Sequence, residues 1–384
     1  MKILYISSPS FADCDFPLVR ELQRKGINVT YLILLPPFML KSTLFDIKTQ
    51  IPKTGIFSAT NYEEIKVYES YMVMDRVFVA NRVGRNALSL SYWKHKLDLF
   101  LFLKKQKFDI VHSDYMIDSG LKFLFRLSPI WVQTFHDPFP HSGEESKRKY
   151  NTYKTTLSKA DYFVLLNKNQ KAKFCIDYGI SPDRVYINHL GIYDNIRTFV
   201  RYDTAPYKNN VLFFGRISPY KGIEYLCEAM KKVREVVPDA SLTIAGGGNF
   251  YFDIEPYKQL GYIEVRNHYV GMEELAELLN RCELSVCPYT DATQSGVIMT
   301  SYSLGKPVVA TNVGGLPEMI EDGKTGLLVS PRDSDLLADA IIQLLTDKRK
   351  LLSMSSYIKE QYAIGPKSWS AIADDYINLY NDIL

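Results

Sequence analysis

Apolar and polar positions separate strands from helices along almost the whole of this chain. Short apolar runs at 3–6, 29–34, 109–112, 131–135 and 162–166 have the length and composition of buried strands. Runs at 211–214, 242–245, 284–287, 308–310 and 327–329 repeat the pattern in the second half. Between them lie stretches whose apolar residues recur three and four apart, the spacing of one helix face. Residues 16–25 form one such stretch, with Leu18 and Leu22 four apart and Gly26 placed to stop it. Ile223, Leu226, Met230, Val233 and Val237 form another, closed by Pro238. Strands that are apolar throughout and alternate with helices build parallel sheets covered on both faces. The predicted class is therefore α/β, with two doubly wound, Rossmann-like parallel-sheet domains.

A polar stretch without periodicity, RYDTAPYKNN at 201–210, marks the expected linker. The predicted domains are 1–203 and 204–365, followed by a final helix over 366–384. Trp369, Ile372, Tyr376, Leu379 and Ile383 give that helix one apolar stripe. Residues 35–91 fit neither period cleanly and predict an insertion with strands of its own.

Composition narrows the class. A chain of 384 residues exceeds what one core usually serves. A net charge of +3 and a charged fraction of 23% give no basic surface of the kind nucleic acid requires. The five cysteines (Cys14, Cys175, Cys227, Cys282, Cys287) form no Cys-x-x-Cys pair, which predicts reduced thiols and no zinc site. The first residues turn polar too quickly for a signal peptide, and no run reaches a membrane-spanning length, so a cytoplasmic chain is expected.

Chemistry concentrates in two places. After the strand at 211–214 comes Gly215-Arg216, then Ser218-Pro219-Tyr220-Lys221-Gly222 and a helix. Two cations five residues apart thus stand where a parallel strand hands over to a helix N-terminus, a position that favours anions. A guanidinium can fork two phosphate oxygens while an ammonium adds a point charge, so the pair suits a diphosphate. An ordinary surface Arg and Lys on a βα loop is the alternative. The second place, 288–317, carries Ser295 and Gly296 at a helix start, then Gly305-Lys306-Pro307, Gly314-Gly315 and Glu318. Free N–H groups at that helix start can bind an anion or sugar hydroxyls. Gly246-Gly247-Gly248 follows another strand and reads as a third turn of the same rim.

Taken together, Gly215-Arg216, Lys221-Gly222, Gly305-Lys306-Pro307-Val308, Gly314-Gly315 with Glu318, and Asp322-Gly323-x-x-Gly326 resemble the retaining glycosyltransferases of family four in order and spacing. The first half matches more loosely, through Asp109-Ile110-Val111-His112 and Thr134-Phe135-His136-Asp137. The resemblance implies a glycosyltransferase B fold: an acceptor domain, a nucleotide-sugar domain, the donor between them, and a last helix that returns to the first domain. It implies that Arg216 and Lys221 hold the diphosphate and neutralise the leaving group without metal or other cofactor, and that His136 lies near the transferred sugar. Donor contacts would come from Gly215, Gly246 and Glu318 and from the backbones of Ser295, Gly296 and Val297; Asp291 or Gln294 and Thr300 would stand in where the family's own side-chain contacts are missing. The implied partners are a nucleotide-diphospho-sugar and a glycan or lipid-linked acceptor, as in surface polysaccharide or glycoconjugate synthesis.

The chain departs from that family in three places. Ala292 and Thr300 occupy the slots of the usual glutamate pair, Ser7-Ser8-Pro9-Ser10 replaces a glycine pair, and His189-Leu190-Gly191 replaces an Asn-Gly turn. The lost carboxylates keep alive a non-catalytic scaffold, and the shared fold keeps alive a sugar-nucleotide epimerase. Asp13-Cys14-Asp15 and Asp333-Ser334-Asp335 match an Asp-x-Asp metal pattern but read as structural, the first in the opening βα loop and the second capping a helix. His95, His141 and His268 read as surface or loop residues. Residues 92–108 mix Trp93, Leu97 and Phe100 with five lysines, which fits either peripheral contact with the inner face of an anionic membrane or a core helix with a solvated basic face.

Overall fold

The computed structural model describes residues 1–384 except 87, 118, 128, 137, 140–146, 202, 204, 206, 293 and 294. The chain divides into two compact units, Met1–Leu190 with Trp369–Leu384, and Gly191–Ser368. The division falls before the polar linker at 201–210. Ile196 belongs to the second unit's core, where it packs with Leu212, Phe214 and Leu275. Arg197 Nε also donates to Ser303 O at 2.7 Å.

The first unit is built on β1 (Lys2–Ser7), β2 (Asn28–Leu35), β3 (Gly55–Ser58), β4 (Val77–Asn81), β5 (Ile110–Ser113), β6 (Ile130–Phe135), β7 (Tyr162–Leu165) and β8 (Val185–Ile187). They lie in the order β3-β4-β2-β1-β5-β6-β7-β8, parallel except for β3 against β4. The expected insertion at 35–91 supplies β3 and β4, which extend the main sheet. The second unit contains β9 (Asn210–Phe214), β10 (Ser241–Ala245), β11 (Ile263–Arg266), β12 (Leu284–Cys287), β13 (Val308–Thr311) and β14 (Gly326–Val329). Their order, β11-β10-β9-β12-β13-β14, is that of a doubly wound dinucleotide-type sheet. β8 and β11 are short and partly exposed, so no apolar run announces them.

The first helix begins at Ala12, four residues before the expected start, with Pro17 inside it. Asp13-Cys14-Asp15 are therefore helical and buried, and do not belong to a loop as expected. The last helix, Trp369–Ile383, buries Trp369, Ile372, Tyr376, Leu379 and Ile383 in the first unit. Tyr380 on the same helix pairs its hydroxyl with His112 Nδ1 at 2.6 Å, and Thr134 Oγ1 takes the other ring nitrogen at 2.7 Å. Burial pushes His112 down to about 3, so it is a neutral core residue.

Candidate active site

In the second unit the strand order reverses between β9 and β12, and ligands of such sheets bind beyond the carboxyl ends of the strands at that point. The turns leaving this edge are laced together by their backbones. Gly215 N donates to Ala245 O at 2.9 Å, and Ile217 N donates to Gly247 O at 3.0 Å. Gly246 has φ +151°, and a Cβ there would stand 1.9 Å from Gly215 O. On the other side, Thr290 N donates to Tyr220 O at 2.8 Å, and a Cβ on Gly222 would meet Pro288 O at 2.0 Å. The turn after β13 joins through Gly315 N, which donates to Ala292 O at 3.2 Å.

This rim carries both predicted cations. Arg216 is exposed, whereas Lys221 is partly withdrawn from water. Lys221 Nζ stands 3.6 Å from the centre of the Tyr289 ring and 5.0 Å from that of Tyr220. Burial pulls the ammonium below its ordinary range. The aromatic faces offset part of that desolvation. Burial pushes the Tyr220 hydroxyl up, but the charge of Lys221 and a hydrogen bond with Arg216 bring it below the usual phenol range. A partly desolvated cation beside an exposed guanidinium at a helix start is arranged to receive an anion. Tyr289, buried and central to this arrangement, was missed in the sequence because Pro288-Tyr289-Thr290 reads as an ordinary loop.

The remaining donor candidates divide between rim and packing. Ser295 directly precedes the helix Gly296–Ser303, is buried with its hydroxyl 3.3 Å from that of Tyr289, and donates its amide to Met319 Sδ at 3.3 Å. Gly296 accommodates Tyr193, whose ring would stand 2.9 Å from a Cβ there. Val297 approaches the Gly215 turn, with Cγ2 3.6 Å from the Cβ position. Thr300 is buried and its hydroxyl donates to Gly296 O at 2.7 Å. Glu318 lies exposed on the short helix Leu316–Met319. Gln294 lies outside the described residues, as do Asp137 and His141.

In the first unit the reversal lies between β1 and β5, and His136 stands one strand further on, just beyond β6. Its ring stacks on Phe11 with centres 4.5 Å apart. Its Nε2 lies 3.5 Å from Asp114 Oδ2 and 3.9 Å from Cys14 Sγ. Behind it sits a buried acidic cluster. Burial, with help from the charge of Asp15, pushes Asp13 up to about 7, while His136 pulls the other way. Asp114 is pushed up to about 6, chiefly by burial. Burial and the charge of Asp114 raise Asp15, whose Oδ2 accepts from the Tyr31 hydroxyl at 2.7 Å. Donor atoms of Cys14, Asp114 and His136 lie within 4.8 Å of one another, close enough to hold a cation. Burial pushes the Cys14 thiol well up, however, so it is a protonated donor to Phe11 O and not a thiolate.

The cluster makes stability depend on pH with a definite sign. Because the folded state holds protons on carboxyls that the unfolded chain releases near pH 4, this contribution is complete below that pH and is lost as pH rises through 6 to 7. Asp13→Asn is expected to stabilise the protein by roughly 3–4 kcal/mol at pH 8 and by roughly 1–2 kcal/mol at pH 5. Denaturant unfolding at the two pH values measures this, and equal shifts at both would exclude a protonated Asp13.

Comparison with known proteins bears on the family and the fold. Residues 208–347 match the model of Glycosyl transferases group 1, and 17–195 match that of Glycosyltransferase Family 4. Between them the two matches span most of the chain. The chain belongs to glycosyltransferase family 4. A D-inositol 3-phosphate glycosyltransferase of Corynebacterium diphtheriae is 26% identical over 309 residues, 72% of this chain and 71% of the relative. One from Paenarthrobacter aurescens is 30% identical over 267 residues, covering 63% and 65%. Among solved structures, Anabaena HepE in complex with UDP and glucose aligns over 100% of both chains at 18% identity and TM-score 0.66. Sucrose-phosphate synthase of Thermosynechococcus elongatus aligns over 100% of this chain and 99% of its own at 17% identity and TM-score 0.66. Both establish the glycosyltransferase B fold.

Several family motif residues of this glycosyltransferase hold the scaffold. Lys306 Nζ donates to Asn280 O at 3.0 Å and Cys282 O at 2.7 Å, closing the helix Met272–Arg281. Asp322 Oδ1 accepts from Leu328 N at 2.9 Å, and Gly326 leaves room for Val308 O. Ala292, in the slot of a missing glutamate, is pinned by its carbonyl to the Gly314-Gly315 turn, where a Cβ on Gly314 would stand 1.5 Å away. Asp333 accepts from Leu336 N at 2.9 Å, the capping role expected of it. His95 differs from expectation: it is buried inside the helix Leu90–Gln106.

Proposed function

We propose that this glycosyltransferase moves a sugar from a nucleotide-diphospho-sugar to a glycan or lipid-linked acceptor with retention and without metal, in surface polysaccharide or glycoconjugate synthesis. The observation that carries this reading is Lys221, desolvated against Tyr289 beside Arg216 at the switch point of the second sheet. Breaking the bond from the anomeric carbon to the phosphate oxygen places negative charge on the phosphate. Cations already fixed there stabilise that charge without reorganising. The acceptor oxygen bonds to the same face of the anomeric carbon and passes its proton to the departing phosphate. His136 acts near the transferred sugar. UDP in the solved HepE complexes supports a nucleotide donor.

A thermal-shift screen against nucleoside diphosphates and their sugars, run in EDTA, tests this reading. One nucleotide family is expected to raise the melting temperature, since it binds only the native state. No shift with any of them, or a shift that appears only with added Mn²⁺ or Mg²⁺, would overturn the metal-free donor site.

Peripheral membrane contact is part of the proposal. No helix among the described residues is long and apolar enough to cross a membrane. The helix Leu90–Gln106 nevertheless exposes Leu90, Trp93, Leu97 and Leu101 along one face, with Lys94, Lys104 and Lys105 also exposed. Co-sedimentation with phosphatidylglycerol vesicles is expected, and Trp93→Ser with Leu97→Ser should abolish it; a pellet unchanged by the double variant would exclude this face.

A further inference from the structure

A cavity of about 310 Å³ opens in the first unit, lined by the carboxyl end of β2 and by residues after β4 and β5. Its walls are mainly apolar: Leu34, Leu35, Phe38, Tyr92, Met116 and Leu121. Arg82, His95 and Thr152 interrupt them, and the first two leave buried nitrogens without partners. Arg82 has its guanidinium 5.2 Å from the Tyr92 ring centre and 5.6 Å from that of Phe38, and it makes no ion pair among the described residues. Its Nε is buried with no hydrogen-bond partner. His95, 5% exposed, also leaves Nδ1 buried and unpartnered. Burying a guanidinium N–H and an imidazole nitrogen without hydrogen-bond partners is costly, and two such groups lining one cavity point to an anionic ligand.

The cavity's size is at the lower end of small-molecule sites. Its apolar lining continues outward: Phe38 is 52% exposed at the rim, and Tyr92 stands on the same helix as the exposed Trp93 and Leu97. An anion attached to an apolar chain fits both features, whereas a bare sugar or free phosphate leaves the hydrocarbon walls unused.

We propose that this cavity holds the phosphate and first chain segment of a lipid-phosphate-linked acceptor, with Arg82 and His95 as its anion donors and Phe38 and Tyr92 flanking the chain. The inference rests on the acceptor reading above and narrows it to one substrate class. Both groups become paired when the ligand binds: Arg82 Nε and His95 Nδ1 each donate to a phosphate oxygen.

Calorimetric titration of the full chain with farnesyl phosphate, farnesol and inorganic phosphate, all below micellar concentration, tests it. Farnesyl phosphate is expected to bind about tenfold or more tightly than farnesol, with no detectable binding of inorganic phosphate. Arg82→Gln should reduce farnesyl phosphate to the level of farnesol, and Phe38→Ala, at an exposed position, should weaken both. Equal affinity for farnesyl phosphate and farnesol, no binding of either, or an unchanged Arg82→Gln would overturn the proposal. The nucleotide-induced thermal shift serves as the independent arm. If it persists in both variants, folding is intact; if it is absent throughout while farnesyl phosphate binds, the donor reading fails and the cavity assignment stands.

Discussion

Lys221→Met will lower kcat by about a hundredfold to a thousandfold while leaving the melting temperature of the unliganded protein nearly unchanged. Methionine keeps an unbranched apolar stem of similar length over Tyr289 and removes only the charge, so the loss reads electrostatics and not packing. The size follows from what one fixed donor contributes when charge develops in a partly desolvated site. Arg216→Ala should act in the same direction. It should do so with a larger salt dependence, because that guanidinium is exposed. Steady-state kinetics with the donor named by the thermal-shift screen measures both. Activity of Lys221→Met within threefold of the parent would remove Lys221 from the reaction.

Gly246→Ala will cost about 3 kcal/mol or more of stability in the second unit and abolish nucleotide binding with it. The added methyl would lie 1.9 Å from Gly215 O, and φ of +151° is one that side chains rarely adopt. Relief requires the turn after β9 to move, and that turn carries Arg216 and Lys221. As a domain is stable by only about 5–15 kcal/mol, the loss is visible as an earlier unfolding step. Gly261→Ala is the internal control: its φ of +78° is also positive, but no atom lies within 4 Å of the new methyl. A Gly246→Ala protein that melts no lower than the Gly261→Ala protein would show that the rim can yield.

Much of this architecture was legible because parallel strands buried on both faces are apolar throughout. The runs around Ile3, Val211, Leu284 and Val308 each became a strand at the centre of a sheet or next to it. Edge strands lack that signal: β8 and β11 are short and half-wet, and their partners are visible only in three dimensions. The Arg216 and Lys221 pair was legible from chain order alone, since a strand end and a helix start fix where a ligand can sit. The aromatic support under Lys221 was not, because Tyr289 comes from a different strand end sixty-eight positions away. Asp13-Cys14-Asp15 read as structural but were placed in the opening loop, and only the helix start at Ala12 turns them inward. His95 was placed at the surface because the lysines around it dominate the local pattern, although it lies on the buried face with Tyr92 and Leu99.

The helix Trp369–Ile383 belongs to a unit whose other residues end at Leu190. During synthesis the first unit leaves the ribosome lacking the partner of His112, and the whole of Gly191–Ser368 must be made before Tyr380 arrives. The second unit, continuous in the chain, can close as soon as it emerges. The usual order of vectorial folding, amino-terminal domain first, is thereby reversed for the last step. Until that step the first unit is an incomplete fold with an exposed apolar seam, and its maturation is timed by the completion of the second.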